Sequence, residues 1–209
     1  MAAKKYSYVG ISFIILVFGI WAVSEFSSRL SGPDFYKGNQ VPDFSFESHK
    51  GYTVTNNTYR GKVYVVEFFF STCPSICPIM KQNMKKIQDE FYTNLNVGIA
   101  SITINPEHDT PEVLKQYAEN IGVAHPNWHL LTGDKDEIYK LSNEGFKLYS
   151  AASEYAPGGF EHSGLFALID KDGFIRSRLD EFGNPKIYYN GLEDNEIEML
   201  KEDIKKLLK

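Results

Sequence analysis

Cys73 and Cys77 are the only two cysteines of the chain, and both are followed by proline in the run Cys73-Pro74-Ser75-Ile76-Cys77-Pro78. The apolar run before them, Val63 to Phe70, reads as a strand buried on both faces, and Ile79 to Phe91 reads as a helix. Both sulfurs therefore fall in a strand-to-helix turn, near unpaired backbone N–H groups and the positive end of a helix dipole. That setting favours thiolate, which is both the sulfur nucleophile and the soft-metal ligand. As a staple the pair would close almost no chain, so a purely structural disulfide would contribute little. Two chemistries remain: binding of a soft ion, Cu(I) above all, and thiol–disulfide exchange. Zinc is less well served, because structural zinc takes four protein ligands.

The surrounding elements follow from periodicity. Phe44 and Phe46 alternate with polar neighbours in a short strand, and Lys50-Gly51 turns the chain back toward Tyr52 to Val54. Met80, Met84, Ile87 and Phe91 recur at helical spacing after the cysteines, which makes Met80 a packing residue rather than a copper ligand. Asn96 to Ile104 is the next strand. Thr110 caps a helix with Pro111 at its first position, running to about Gly122. Leu130 to Gly133 is short and ambiguous, and Lys135 to Asn143 looks helical. Leu165 to Ile169 and Phe174 to Arg178 form a hairpin about Lys171-Asp172-Gly173. Glu193 to Lys209 is an amphipathic helix with Ile197, Leu200, Ile204, Leu207 and Leu208 on one side. Alternating strands and helices, then a hairpin and a closing helix, predict an α/β fold with a thioredoxin-like sheet and flanking helices.

In such a sheet the loop entering the Leu165 strand faces the cysteine turn, and His162 lies in it. Here Glu161-His162-Ser163-Gly164 carries no proline, so an imidazole stands where a thioredoxin would place its substrate-clamping proline. One imidazole and two thiolates make a Cys2His site that suits Cu(I) as well as the more demanding Cu(II). Glu161 reads either as a group that orients or charge-balances the site, or as a solvated loop carboxylate. Of the five histidines, His49 beside a turn reads as solvated. His125 and His129 flank Trp128 and suit packing or surface roles, and His108 suits capping or the surface.

The chain is 209 residues long with net charge −5 and no long basic run. Nucleic acid is thus not an expected partner, since phosphate contacts need clustered Lys and Arg. Lys4 and Lys5 precede an apolar stretch from Val9 to Val23. With Tyr6, Ser7 and Tyr8 it is just long enough to cross a hydrocarbon core. Residues 1–26 are therefore expected to be a transmembrane anchor, with a cleaved signal peptide as the alternative. The lysines would keep the N-terminus in the cytoplasm and put the folded part on the extracytoplasmic, oxidising side. Residues 27–40 read as a polar tether and 41–209 as the thioredoxin-like domain.

The motifs together resemble the Sco/SenC family. They are CPSICP after an apolar strand, Asn105-Pro106-Glu107-His108-Asp109-Thr110-Pro111, Glu161-His162-Ser163, and Leu168-Ile169-Asp170-Lys171-Asp172-Gly173. The resemblance runs from about Val41 to the C-terminus and implies a membrane-anchored, copper-binding, thioredoxin-fold protein. It implies Cys73, Cys77 and His162 as copper ligands. It also implies a role as a copper metallochaperone in assembling the copper centre of cytochrome c oxidase. The implied partner is that enzyme's copper-binding subunit or another copper or thiol protein. A membrane-anchored thiol–disulfide oxidoreductase acting on partner cysteines, through Cys73 as attacking and Cys77 as resolving thiol, is the alternative. Ser75, Asn105, His108 and Glu161 depart from the family's usual residues without removing a ligand.

Overall fold

The computed structural model describes residues 11–23, 35–153 and 155–209, in two units that divide between Asp34 and Phe35. In the first unit, residues 11–23 are helical, with Phe13, Leu16, Phe18 and Trp21 exposed. Among the described residues no helix is long and apolar enough to cross a membrane. The first ten residues of the expected anchor, and residues 24–34 of the anchor end and tether, lie outside the described residues.

The second unit is built on a sheet whose middle is parallel. Strand β4 (Val63–Phe69) is buried along its whole length and pairs in parallel with β5 (Val97–Thr103), from Val63 opposite Val97 to Phe69 opposite Thr103. β5 pairs in parallel with β6 (Trp128–Thr132), so the ambiguous segment after His125 is a strand. Parallel neighbours require crossovers. These are α1 (Cys77–Glu90) and α2 (Pro111–Ile121). Thr110 Oγ1 accepts from Val113 N–H to cap α2, and Gly122, at φ 74°, ends it in the left-handed conformation that glycine adopts freely. On the other side of β4 lie β9 (Leu165–Ile169) and then β10 (Phe174–Arg178), both antiparallel to their neighbours. The hairpin β2 (Ser45–Ser48) and β3 (Thr53–Thr55) extends the β6 edge.

One boundary differs from the sequence reading. Phe35–Gln40, expected as the end of the tether, is strand β1, paired antiparallel to β10. It is an edge strand with mostly exposed side chains, so it lacks the apolar signature of a core strand. Its hold on the sheet is partly through side chains: Arg176 donates to the Phe35 and Tyr36 carbonyls, and the Lys37 ammonium lies 3.6 Å from the centre of the Phe174 ring.

After β6, α3 (Lys135–Lys140) is capped by Asp134, whose carboxylate accepts from Glu137 N–H, and runs into a π-helical turn at Leu141–Gly145. A small two-stranded sheet follows, β7 (Ser150–Ala152) against β8 (Phe160–His162). Short β11 (Tyr189–Asn190) pairs with β9. The chain closes with α4 (Asp194–Leu208), which buries Ile197, Leu200 and Ile204. Each such side chain contributes about 1.5–3 kcal/mol on leaving water. Between α4 and the sheet, Arg178 Nε and Nη2 donate to the fully buried Asp203 carboxylate at 2.7 and 2.9 Å, and Tyr189 Oη donates to it at 2.7 Å. This is the thioredoxin-like arrangement expected.

Candidate metal centre

The cysteine turn is set by the end of the most buried strand. After Phe70, Cys73 N–H donates to the Phe70 carbonyl at 3.2 Å and closes a tight turn. Asp109, fully buried, grips that turn from β5's side. Its carboxylate accepts from Ser71 N–H at 3.0 Å, from the Ser71 hydroxyl, and from Thr103 Oγ1 at 2.5 Å. His108 Nδ1 lies 2.9 Å from the same carboxylate, and the His108 side chain is exposed. The helix begins at Cys77 itself, one turn-half earlier than periodicity indicates, with Pro78 in its first turn where the missing N–H costs nothing.

His162 comes from the other side, as the last residue of β8 rather than from an open loop. Its Nε2 lies 3.2 Å from Cys77 Sγ and 3.9 Å from Cys73 Sγ. Its Nδ1 is 3.2 Å from the Ser163 carbonyl oxygen. A carbonyl only accepts, so Nδ1 carries the proton and Nε2 presents its lone pair to the sulfurs. Burial lowers the His162 pKa, against the opposing pull of the Ser163 and Phe68 carbonyls. The imidazole is therefore neutral near pH 7, the form that ligates metals. The Phe70 ring packs edge-on against it, 5.7 Å between centroids.

The two thiols are free and buried but not alike. Burial pushes Cys73 up. Hydrogen bonds from the Cys77 thiol and backbone, and from the Ser75 backbone and hydroxyl, outweigh that effect and hold Cys73 below the usual thiol value. Cys77 is pushed well up, first by burial and then by the neighbouring Cys73 and Glu67. The expectation that the turn favours thiolate at both positions is thus corrected. At the more deeply buried sulfur the loss of solvation outweighs the opposing backbone hydrogen bond at Phe70. Glu67, not anticipated from the sequence, is buried on β4, accepts from Ser101 Oγ at 2.6 Å and is raised to about 7 by burial.

The ligand atoms of Cys73, Cys77 and His162 all lie within 4.8 Å of one another, and among the described residues no other group of three or more His, Cys, Asp or Glu does this. Such a set could hold one ion, and two thiolates with one imidazole suit copper. A cavity of about 460 Å³, walled by Phe70, Ile76, Tyr149, Pro157 and Phe160, opens beside Cys73 and His162. A larger cleft of about 740 Å³ at the opposite end of β4, lined by Tyr64, Arg60 and Lys171, has no Cys or His in its lining.

The remaining candidates lie apart from this cluster. Glu161 is exposed and accepts from Ser153 Oγ at 3.1 Å. The Ser163 carbonyl, not Glu161, orients the imidazole. Met80 is buried in the core, as packing requires. His49, expected in solvent, is buried, and its Nδ1 accepts from Leu130 N–H at 3.0 Å. His129 is buried between Tyr52 Oη at 2.8 Å and Tyr59 Oη at 2.9 Å, and His125 is buried in the loop before β6.

Comparison with known proteins points the same way. The sequence model of the SCO1/SenC family matches residues 35–195. The SCO1 protein homolog of Bacillus subtilis is 30% identical over 171 residues, covering 79% of this chain and 81% of that protein. The structure of BsSco, described as a member of the Sco family of cytochrome c oxidase assembly proteins with a disulfide switch, superposes with a TM-score of 0.68. It is 28% identical, covering 84% of this chain and 96% of that one. Yeast Sco1 with copper bound superposes with a TM-score of 0.58 at 26% identity, covering 80% of this chain and 89% of that one. Copper binding is supported by that copper-bound relative together with the Cys73, Cys77 and His162 cluster. A match over most of the chain, a relative at this identity and the shared fold establish that the chain belongs to the SCO1/SenC family.

Proposed function

We propose that this protein is a copper metallochaperone. It takes one copper ion on Cys73 Sγ, Cys77 Sγ and His162 Nε2, and passes it by ligand exchange to the copper-binding subunit of cytochrome c oxidase or to another copper or thiol protein. The observation that carries this reading is the convergence of three soft or borderline donors within 4.8 Å. Taking up Cu(I) on both sulfurs displaces their thiol protons, that of Cys77 being the more firmly held, while the imidazole is already neutral. A three-donor site with an open side lets an incoming thiolate or imidazole bind before the outgoing ligands leave.

The helical, apolar residues 11–23 and the lysines at 4 and 5 support a further part of the proposal. The N-terminal segment anchors the protein in a membrane, with the domain on the extracytoplasmic side. There an oxidising milieu would close Cys73 and Cys77 into a disulfide unless a reductant keeps them apart.

The inequality of the two thiols supports a second activity on the same site. Cys73 thiolate would attack a partner disulfide, releasing one partner thiolate and forming a mixed disulfide. Cys77, once deprotonated, would attack Cys73 and release the partner as a dithiol, leaving Cys73–Cys77 oxidised. His162→Ala separates the two readings. Copper affinity falls if the chaperone reading holds, whereas disulfide exchange needs only the sulfurs. Unchanged copper affinity in that variant sinks the Cys2His site.

A further inference from the structure

Asn83 is an amide in the core: it lies on α1, six residues after Cys77, and is 2% exposed among Met80, Met84 and Ile87. A buried amide is costly unless it is hydrogen-bonded, and this one has a specific partner. Asn83 Nδ2 donates to the Gly191 carbonyl at 2.8 Å. Gly191 N–H donates in turn to the Gly164 carbonyl at 2.7 Å. Gly164 is two residues beyond His162. The contact is tight: a Cβ at Gly191 would stand 2.7 Å from the Phe166 ring and 3.0 Å from the Gly164 oxygen. Leu192 packs directly over Gly164.

This chain of bonds has a particular consequence for the donor triangle. Cys73 follows β4 and is held by the sheet and by Asp109. Cys77 belongs to α1, and His162 to the segment that enters β9. Sheet hydrogen bonds fix β9 against β4 but not against α1. The Asn83–Gly191–Gly164 path ties the Cys77 helix to the segment that follows His162.

We infer that Asn83 is a positioning residue for copper: through Gly191 and Gly164 it sets the separation of His162 Nε2 from Cys77 Sγ. The inference rests on the copper-binding reading and adds a residue with no donor atom at the site. It predicts a split. Losing the Asn83 donor should weaken the imidazole's part in copper binding and shift the dithiol–disulfide equilibrium far less, since only a weak Cys77–His162 contact is lost there.

The test uses the full chain in detergent, with Asn83→Asp, which keeps the shape but sets an oxygen against the Gly191 carbonyl, and Asn83→Ala as the milder variant. Three readouts are compared: Cu(I) affinity by chelator competition, nitrogen hyperfine splitting in the electron paramagnetic resonance spectrum of the Cu(II) form, and the dithiol–disulfide equilibrium against glutathione. The expected result is a loss of about 10-fold or more in copper affinity, with altered nitrogen splitting and a much smaller shift of the disulfide equilibrium, in whichever variant keeps a cooperative unfolding transition. Unchanged affinity and splitting would overturn the inference. So would a parallel loss of all three readouts with melting temperature, which marks a purely structural residue. Wild-type protein that binds no copper, or binds it equally well as His162→Ala, would instead overturn the underlying reading.

Discussion

His162 Nε2 lies 3.2 Å from Cys77 Sγ, and the proton on the other ring nitrogen is committed to the Ser163 carbonyl. The imidazole thus presents a lone pair to a thiol that still holds its proton. Replacing that proton with a soft cation converts a weak S–H···N contact into a shared ligand position. His162→Ala should lower Cu(I) affinity by more than the roughly 10–100-fold that loss of an outer hydrogen-bond partner costs at a metal site. Chelator competition measures this, with the melting temperature of the metal-free protein as the control for folding.

The two sulfurs should also differ in reactivity. Cys73 is held below the usual thiol value and Cys77 well above it, and thiolate is the reacting form. With a small alkylating agent at neutral pH, peptide mapping by mass spectrometry should find Cys73 modified first. The rate should rise with pH as Cys73 ionises. Equal labelling of both positions would contradict the asymmetry.

Two buried histidines give the fold an acid sensitivity independent of copper. Burial, with Lys50 nearby, holds His129 down to about 3 and His49 down to about 4. Unfolded, both take up a proton near pH 6.5. Between those values the unfolded state binds more protons than the folded one, so stability rises with pH and is lost as pH falls from about 6.5 toward 4. The slope contributed by each histidine is at most about 1.4 kcal/mol per pH unit. Urea unfolding at stepped pH should show this, and His129→Gln should flatten the slope. It should also lower stability at pH 7, because the Tyr59 and Tyr52 hydroxyls lose their imidazole partner.

Arg178→Met tests the seam between α4 and the sheet. It leaves the fully buried Asp203 carboxylate with Tyr189 and Lys206 as its remaining partners. Removing one side of a buried ion pair costs about 3–5 kcal/mol, and the lower end is expected here because the guanidinium is partly exposed. Denaturant unfolding measures the loss. Copper affinity of the protein that stays folded should be unchanged, since none of these groups touches the donor triangle.

Much of this was legible in the sequence because its signals are local. A nearly continuous run of apolar β-formers gave β4, and the cysteines after it, each followed by proline, located the turn. Thr110-Pro111 and Gly122 bracketed α2. The unread features depend on what a residue meets far along the chain. β1 has no apolar stripe because it is an edge, and β8 pairs with Ser150–Ala152, a segment of small residues with little strand propensity. His49 looks solvated beside its turn, yet β6 covers it through Leu130. Glu67 and Asn83 are polar residues within apolar patterns, and periodicity cannot distinguish a buried polar group with a partner from a solvated one. The deeper burial of Cys77, which raises its thiol, is likewise a property of packing.

The most direct test of the central claim is a Cu(I) titration of the reduced full chain against a competing chelator, beside the Cys73→Ser/Cys77→Ser variant. Tight binding of one copper per chain, abolished in the variant, is the predicted result. A wild-type chain that binds no copper under reducing conditions, or a double variant that binds it equally well, would contradict the account.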